Sequence, residues 1–296
     1  MLTIDTAIRR IVNMASADFA MRRFKTTLME LNMRYTFGTN EIAARRLEKV
    51  ARIFNPHSAE FIREYVPYPV VSAVDMGCGP GFTTHLLNMT VKSKEIYGMD
   101  SSEAFLHRAM DRFSEYVFVC HDLTRMPFPL KPEVMYVRFV LSHMPDPVAL
   151  VNDWTSQLNE RGALLIEEVE DIKTDVPVFK RYLEINKGLV GSQRAALYVG
   201  KELSRGAYDA EILANRCVEV AVSDSAAAEM FYPNTISIWR DEPYVTSTVP
   251  ASERKDISCE LREIIGSGGG KSGITWKMRR IVLRNREQDP YLELFI

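Results

Sequence analysis

The chain has 296 residues, and its 37 Lys and Arg nearly balance its 39 Asp and Glu, for a formal net charge of -2. A nucleic-acid groove usually shows as a basic excess on the domain, so this balance argues against one. No apolar run is long enough to span a bilayer. The four cysteines form no C-x-x-C pair, so zinc and disulfide scaffolds lack support. We expect a cytoplasmic globular protein with no nucleic-acid partner, no membrane partner and no metal.

The N-terminal region, residues 1–65, carries apolar residues at helical spacing. The segment 38–40 interrupts this pattern, and Asn40 followed by Glu41 is typical of a helix start. We interpret residues 1–65 as an N-terminal helical lid. The exposed helices of this region could also form the interface of a homodimer.

Strands and helices alternate through the rest of the chain, residues 66–296. The predicted strands are 70–76, 95–100, 117–121, 133–139, 163–169, 217–222 and 274–283. The predicted helices between them are 82–89, 103–116 and 147–158. Residues 171–215 interrupt the alternation, and we interpret them as an inserted helical substrate cap. The pattern predicts an α/β domain, Rossmann-like, with a mostly parallel sheet.

The segment VDMGCGPG contains the end of the first predicted strand and then carries Gly77, Gly79 and Gly81. A dinucleotide fingerprint requires G-x-G-x-x-G, and its third glycine would stand where Phe82 is found. The spacing G-x-G-x-G therefore disfavours a pyrophosphate cradle.

A second glycine cluster, GSGGGKSG, lies before the last predicted strand. A nucleotide-binding P-loop would require a glycine at Ile265 and a strand before the cluster. Neither is present, so we interpret this cluster as a solvated loop.

Three acidic residues, Asp75, Asp100 and Asp122, lie at the ends of three successive predicted strands. The carboxyl ends of parallel strands meet at one edge of a sheet, so these side chains should converge on one cleft. A carboxylate there could accept hydrogen bonds from a ribose diol or an exocyclic amine. Each acid also has a structural interpretation: Asp75 as a brace for the glycine loop, Asp100 as a helix cap and Asp122 as a turn residue.

With these residues in view, the sequence resembles the class I S-adenosylmethionine-dependent methyltransferases. The matching segments are VDMGCGPG, YGMDSS, CHDLTRMPFP, YVRFVLSHMPDP and RGALLIEEVE. The resemblance covers residues 70–170 closely and extends loosely over the last two strands. The segments VRFVLSHMPDP and YTFGTNE are most similar to the small-molecule branch that includes trans-aconitate-type and ubiquinone-type enzymes.

The resemblance implies a seven-stranded sheet whose last strand is antiparallel, with S-adenosyl-L-methionine as the cofactor. The glycines would let the backbone approach the amino-acid part of the cofactor, and the loop amides together with the start of the following helix would face its carboxylate. Asp100 would hold the ribose hydroxyls, and Asp122 with Leu123 would frame the adenine. The full set predicted for cofactor binding is Tyr35, Asp75, Gly77, Cys78, Gly79, Gly81, Asp100, Ser101, Asp122, Leu123 and Arg138.

Two residues near the fourth strand are candidates for chemistry. His143 lies just past this strand, and it could act as a general base or simply pack in the loop. Arg138 stands within the apolar strand, and its guanidinium could bind a carboxylate or pair with Glu167 or Glu168. For Arg138 we favour the internal pair.

The acceptor would lie between the sheet edge, the N-terminal helices and the cap. The residues predicted to bind it are Tyr182, Tyr198, Phe231 and Trp239. An aromatic set suits a flat or apolar small molecule, although the same residues would equally make ordinary core. We expect methyl transfer to oxygen or nitrogen of a small molecule in specialised metabolism, mainly by alignment of the reactants. The alternatives are methylation of a peptide or protein side chain and a cofactor-binding regulatory protein without turnover.

Overall fold

A seven-stranded sheet, in the order β3-β2-β1-β4-β5-β7-β6, forms the centre of the molecule. A computed structural model describes residues 36–268, 270 and 272–286, so Tyr35 and the rest of residues 1–35 lie outside the described part. The strands are β1 (Ser72–Met76), β2 (Glu95–Asp100), β3 (Val117–Cys120), β4 (Val134–Arg138), β5 (Ala163–Thr174), β6 (Glu211–Val222) and β7 (Ile274–Arg284). Strands β1–β5 pair in parallel, and β7 runs antiparallel to both β5 and β6. This confirms the predicted Rossmann-like sheet with an antiparallel last strand.

Helices cover both faces of the sheet. They are α1 (Glu41–Tyr65), α2 (Phe82–Val91), α3 (Glu103–Arg112), α4 (Pro147–Ser156), α5 (Pro177–Ser192), α6 (Gly200–Ser204), α7 (Asp224–Ile236), α8 (Ile238–Asp241), α9 (Pro243–Thr248) and α10 (Ala251–Ser267), with a 3-10 turn at Leu141–His143. Across the described part of the chain, no helix combines the length and the apolar character needed to cross a membrane.

Helix α1 begins where the sequence predicts, because the Asn40 side chain accepts a hydrogen bond from the amide of Ala43 at 3.0 Å. Its apolar residues Phe61 and Ile62 are fully buried against the sheet. The guanidinium of Arg280 on β7 donates to the His57 carbonyl at 2.9 Å. The second half of α1 is therefore fixed to the sheet by both apolar and polar contacts.

The insertion predicted over 171–215 is helical only in α5 and α6. Strand β5 continues to Thr174, and β6 begins at Glu211 rather than at 217. The long partner strand β7 is the cause, since it pairs with both neighbours from Ile274 to Arg284. The helix predicted over 103–116 also ends early, at Arg112.

A second helical segment, α7–α10, lies between β6 and β7 and is absent from the helices predicted above. Together with α5 it forms a layer, here called the helical layer (α5 and α7–α10). The helical layer and the start of β7 share one apolar core, with fully buried Phe179, Trp239, Ile257 and Leu261 at its centre. This core closes the side of the sheet at the carboxyl end of β5.

Candidate functional site

Three glycines in left-handed backbone conformations shape the loop after β1. Gly77, Gly79 and Gly81 have φ angles of +72°, +51° and +85°, which residues with a Cβ adopt only at a cost. At Gly77 a Cβ would also overlap the side chain of Val140, just after β4. The glycine loop therefore passes directly against the loop that follows β4.

Most amide groups of the glycine loop donate within the protein. The amides of Gly77 and Cys78 donate to the Met99 carbonyl at 2.8 and 3.0 Å, and the Gly81 amide donates to the Cys78 carbonyl at 3.0 Å. Helix α2 begins after Gly81 with no side-chain cap. Its first amides are therefore the donors that an anionic group could use. This refines the prediction, which gave the loop amides an equal part.

Asp75 acts as a brace for the glycine loop, one of its two predicted interpretations. Its carboxylate is buried and accepts hydrogen bonds from the hydroxyls of Thr83 and Thr84 at 2.6 and 2.8 Å. Burial raises the pKa of Asp75 to about 6, and the two hydroxyls oppose this shift. Asp75 thus ties the end of β1 to the first turn of α2, and direct contact with a ligand stays a prediction.

Asp100 connects the glycine loop to the start of α3. Its Oδ2 accepts from the Gly79 amide at 2.8 Å, and its Oδ1 accepts from the Ser102 amide at 2.8 Å. Burial raises the pKa of Asp100, and the backbone hydrogen bonds oppose that shift. The helix cap itself is Ser102, whose hydroxyl accepts from the Phe105 amide at 3.3 Å. Each carboxylate oxygen keeps a second lone pair that could accept from a hydroxyl.

Asp122 forms a turn, the simpler of its two interpretations. Its Oδ1 accepts from the amide and hydroxyl of Thr124 at 3.0 and 2.7 Å, and its Oδ2 lies 3.2 Å from Arg125. Leu123 is buried, and its carbonyl accepts from the Trp154 indole at 2.8 Å. Contact of Asp122 and Leu123 with an adenine stays a prediction.

The ends of β1, β2 and β3 thus bring the three acids and the glycine loop to one edge of the sheet. Comparison with known proteins agrees with this arrangement: residues 73–162 match the family model described as a methyltransferase domain. The chain contains a class I S-adenosylmethionine-dependent methyltransferase domain. S-adenosylmethionine is accordingly the cofactor of this domain.

Individual relatives support this domain over part of their length. The trans-aconitate 2-methyltransferase of Agrobacterium fabrum is 30% identical over 104 residues, which is 35% of this chain and 41% of that protein. The enzyme of the same name from Methylobacterium radiotolerans is 27% identical over 153 residues, 51% of this chain and 58% of that protein. The chain therefore spans about half the length of the curated relatives it matches.

A solved structure shares the fold of the methyltransferase domain. The YcgJ protein from Bacillus subtilis superimposes with a TM-score of 0.50 and 16% sequence identity, covering 78% of this chain and 99% of that chain. At this identity the likeness shows the fold alone.

Glu168 on β5 accepts hydrogen bonds from the backbone of the loop after β4 in the methyltransferase domain. Oε1 of Glu168 accepts from the amides of Val140 and Leu141 at 2.7 and 2.8 Å, and the side chain is fully buried. The sequence analysis considered Glu168 only as a possible partner of Arg138. The two acids that follow the apolar run of β5 were the available signal, because burial of a carboxylate there requires hydrogen-bond donors.

His143 ends the 3-10 turn in this loop, and the ring of Phe37 meets its imidazole edge-on at 6.0 Å between centroids. Burial and the positive charge of Arg46 lower the pKa of His143 to about 4. The imidazole is therefore neutral at pH 7 and only weakly basic. Its role as a general base stays a prediction.

The predicted internal ion pair of Arg138 was wrong. Its guanidinium is buried and donates to the Ser58 hydroxyl and the Asn55 side-chain oxygen on α1, both at 2.8 Å. Glu167 pairs instead with Arg280 at 2.8 Å, while Glu168 holds the loop after β4. Sequence spacing could not show that α1 would supply neutral partners at this point of β4. Binding of a ligand carboxylate by Arg138 stays a prediction.

The predicted acceptor residues fall into two places. Tyr182 stacks on Phe231 at 4.2 Å and on Trp239 at 5.2 Å between ring centroids, and all three rings are buried in the helical layer. Tyr198 lies in the connection between α5 and α6, where burial and nearby acids raise the pKa of its phenol. The stack shows the core packing that the sequence analysis left open, and acceptor binding stays a prediction for all four residues.

In the described part of the chain, no three His, Cys, Asp or Glu side chains are grouped so that they could hold a metal ion.

Proposed function

We propose that the protein transfers a methyl group from S-adenosylmethionine to oxygen or nitrogen of a small-molecule acceptor. The single observation that carries this proposal is the left-handed glycine loop, with Asp100 bonded to Gly79, at the edge where three parallel strands end. The match of residues 73–162 to a methyltransferase domain supports the same cofactor class.

The residues present fit this cofactor. The uncapped start of α2 would receive its carboxylate, because helix amides there lack other partners. Asp100 would accept from the ribose hydroxyls through the lone pairs that its backbone contacts leave open. When bound, the cofactor supplies a methyl group on a positively charged sulfur, so an aligned nucleophile needs little further activation.

The state of His143 favours acceptors that need no deprotonation. With a pKa lowered to about 4, its imidazole provides little driving force for removing a proton from an alcohol or a phenol. A carboxylate or a neutral amine could attack without such help. Relatives of the domain are named for trans-aconitate, a carboxylate-bearing molecule, so small carboxylic acids are the first acceptors to test.

A closed acceptor side favours a small molecule over a protein side chain. The Thr36 hydroxyl donates to the Gln193 side chain at 2.6 Å, and a Cβ at Gly38 would lie only 2.9 Å from Ile238. The turn before α1 thus packs onto α5 and α8 beside His143. We therefore assign the turn at residues 36–40 a lid role and the helices of 171–215 a cap role in this proposal, while residues 1–35 of the predicted lid lie outside the described part.

Calorimetry with S-adenosylhomocysteine tests the cofactor site first. Absence of binding would reject both an enzyme and a cofactor-binding regulatory protein. A screen with methyl-labelled cofactor against small carboxylic acids and amines then separates these two, since a regulatory protein transfers label to none of them.

The same assay tests His143 through the variant H143A, with H107A on the exposed face of α3 as the control. If His143 acts as a base, H143A lowers turnover and leaves S-adenosylhomocysteine affinity nearly intact. If it packs in the loop, H143A weakens cofactor affinity as well. If the acceptor arrives unprotonated, turnover with a carboxylate stays close to that of H107A.

A further inference from the structure

A fully buried acid lies beneath the loop that borders the cofactor site. Glu168 stands near the middle of β5, opposite Arg279 of β7 in the strand register. Its side chain is 0% exposed. No step of the proposed methyl transfer uses it, so its burial calls for a separate explanation.

One oxygen of Glu168 organises the backbone of this loop. Oε1 accepts from the amides of Val140 and Leu141 at 2.7 and 2.8 Å, at the start of the 3-10 turn that ends in His143. The preceding residue, Phe139, has a left-handed φ of 60°. A residue other than glycine keeps such a conformation only where its surroundings hold it. The two hydrogen bonds to Glu168 supply that hold directly after the strained residue.

The loop that Glu168 holds is also in contact with the glycine loop. Val140 lies so close to Gly77 that a Cβ there would overlap its side chain. A shift of Val140 would therefore open the gap between the two loops or press on the glycine loop. The position of the Glu168 carboxyl is in this way coupled to the shape of the cofactor site.

The second oxygen of Glu168 is buried and has no hydrogen-bond partner among the described residues. Burial raises the pKa of Glu168 to about 8, against the effect of the backbone hydrogen bonds. At pH 7 the group is therefore mostly the neutral acid, and above pH 8 it is mostly a buried carboxylate whose second oxygen has no hydrogen-bond partner among the described residues. The protonated carboxyl group of Glu168 can still accept the hydrogen bonds of the loop amides, and it places no unpaired charge in the protein interior.

The charged and titratable groups around Glu168 come from several elements. They are Glu167 and Glu170 on β5, Arg279 opposite Glu168 on β7, Arg138 on the paired strand β4, and His143 at the end of the loop that Glu168 holds. Arg279 is bonded to Glu170, and Glu167 to Arg280. The pKa of His143 is lowered to about 4, so His143 does not titrate near pH 8.

We propose that Glu168 is a positioning residue, which in its neutral form fixes the loop 139–143 against the glycine loop so that the cofactor site is formed. This inference rests on the proposed function, because it assumes that S-adenosylmethionine binds at the glycine loop. It adds a residue on β5 that never touches the cofactor and yet sets its affinity.

The test is S-adenosylhomocysteine affinity, measured by calorimetry between pH 6.5 and pH 9.5 on the full chain. In the wild-type protein the affinity should fall about tenfold from pH 7 to pH 9, as one ionisation with a pKa of about 8 requires. E168Q keeps a neutral head of the same shape, so its affinity at pH 7 should stay within about twofold of wild type, and its pH dependence should vanish. E168A leaves two amides without an acceptor and should bind at least about tenfold more weakly at pH 7.

The matched control is E170Q, which changes a carboxylate on the same strand that bonds to Arg279 rather than to the loop. It should keep the wild-type fall in affinity above pH 8. Wild-type affinity in E168A, or a wild-type fall in affinity in E168Q, would overturn the proposal. If E168A does not fold, the pH dependence of S-adenosylhomocysteine affinity in the wild type and in E168Q tests the proposal without it. Absence of binding by the wild-type protein at pH 7 would instead reject the proposed function itself.

Discussion

The loops at the carboxyl ends of β1–β4 and the helical layer are built from different interactions. In the loops, carboxylates accept hydrogen bonds from amides and hydroxyls, as at the buried Asp75 and the half-buried Asp100. In the helical layer, aromatic rings stack in an apolar core, as at Tyr182 and Trp239. Hydrogen bonds depend on direction, whereas apolar burial depends mainly on area. Substitutions in the loops should therefore change ligand affinity most, and substitutions in the helical layer should change stability most.

The largest expected effect is on stability, from Trp239→Ala. Trp239 is fully buried, stacks on Tyr182 and donates to Asn186 at 3.5 Å. Its removal should lower the free energy of unfolding by about 3–5 kcal/mol. Urea unfolding measures this loss, and calorimetry on the folded variant should give S-adenosylhomocysteine affinity within about twofold of wild type.

Ile236→Ala is the control for Trp239→Ala, since Ile236 ends α7 with 44% of its surface exposed. Its free energy of unfolding should change by less than about 0.5 kcal/mol. If Trp239→Ala weakened ligand binding as strongly as it lowers stability, the helical layer and the loops would behave as one unit and the comparison would fail.

The next effect, on affinity, is expected from Gly77→Ala. The φ of +72° disfavours alanine, and the new Cβ would displace Val140. We expect S-adenosylhomocysteine affinity to fall about 100-fold, with a loss of about 1–3 kcal/mol in the free energy of unfolding. Calorimetry and urea unfolding on the same preparation separate the two effects.

Gly191→Ala provides the matched glycine control. Gly191 lies in α5, and no heavy atom stands within 4 Å of a Cβ added there. Alanine favours helices over glycine by up to about 1 kcal/mol, so this variant should be as stable as wild type or slightly more stable. Equal loss of affinity in both glycine variants would show that the glycine loop has no special part in binding.

The same contrast explains what the sequence could predict. The glycine loop and the acids at Asp75, Asp100 and Asp122 are local signals, because each lies within two residues of the end of its own strand. The partners of Arg138 and Glu168 are set by which helix or loop packs over each strand end. The spacing of residues along one strand does not show which helix or loop packs over it. For this reason the ion pair predicted for Arg138 was wrong, and the contacts of Glu168 with the loop were not predicted.

The helices of the helical layer could not be predicted from the sequence for a different reason. Helix α7 carries Pro233 inside it and buries residues on several of its sides, among them Ala227, Met230 and Phe231. A helix buried on most sides shows no single apolar stripe, so its periodicity gives a weak signal. Pro233 is also typical of a helix end in sequence. The apolar composition of this segment indicated a core, but not the helices that form it.

A smaller effect on affinity is expected from Asp100→Ala. The variant removes the acceptor of the Gly79 amide and the proposed acceptor of the ribose hydroxyls. S-adenosylhomocysteine binding should weaken by about 1–3 kcal/mol. Calorimetry measures the change, with Asp111→Ala on the exposed side of α3 as the control. Unchanged affinity in Asp100→Ala would place the ribose elsewhere.

The smallest effect is a pH dependence of stability that comes from the loops and not from the helical layer. Burial raises the pKa of Glu168 to about 8, above its ordinary value of 4.5, so the folded protein holds this proton more tightly than the unfolded chain does. Stability from this group is present at low pH and is lost as the pH rises through 8. Between pH 7 and pH 9 the free energy of unfolding should fall by about 1 kcal/mol.

Asp75 and His143 act outside this pH window, whereas the raised pKa values of the thiols of Cys78, Cys120 and Cys217 add a loss of the same sign near pH 9, which Glu168→Gln keeps. The pKa of Asp75 is raised to about 6, so its contribution to the free energy of unfolding is already lost at pH 7. The lowered pKa of His143, about 4, acts with the opposite sign and only between about pH 4 and 6.5. Urea unfolding at pH 7 and pH 9 should therefore show a larger loss in wild type and in Trp239→Ala than in Glu168→Gln, which keeps only the loss from the thiols. An equal loss in Glu168→Gln would mean that another group titrates in the loops, and that the carboxyl beneath Val140 is already ionised at pH 7.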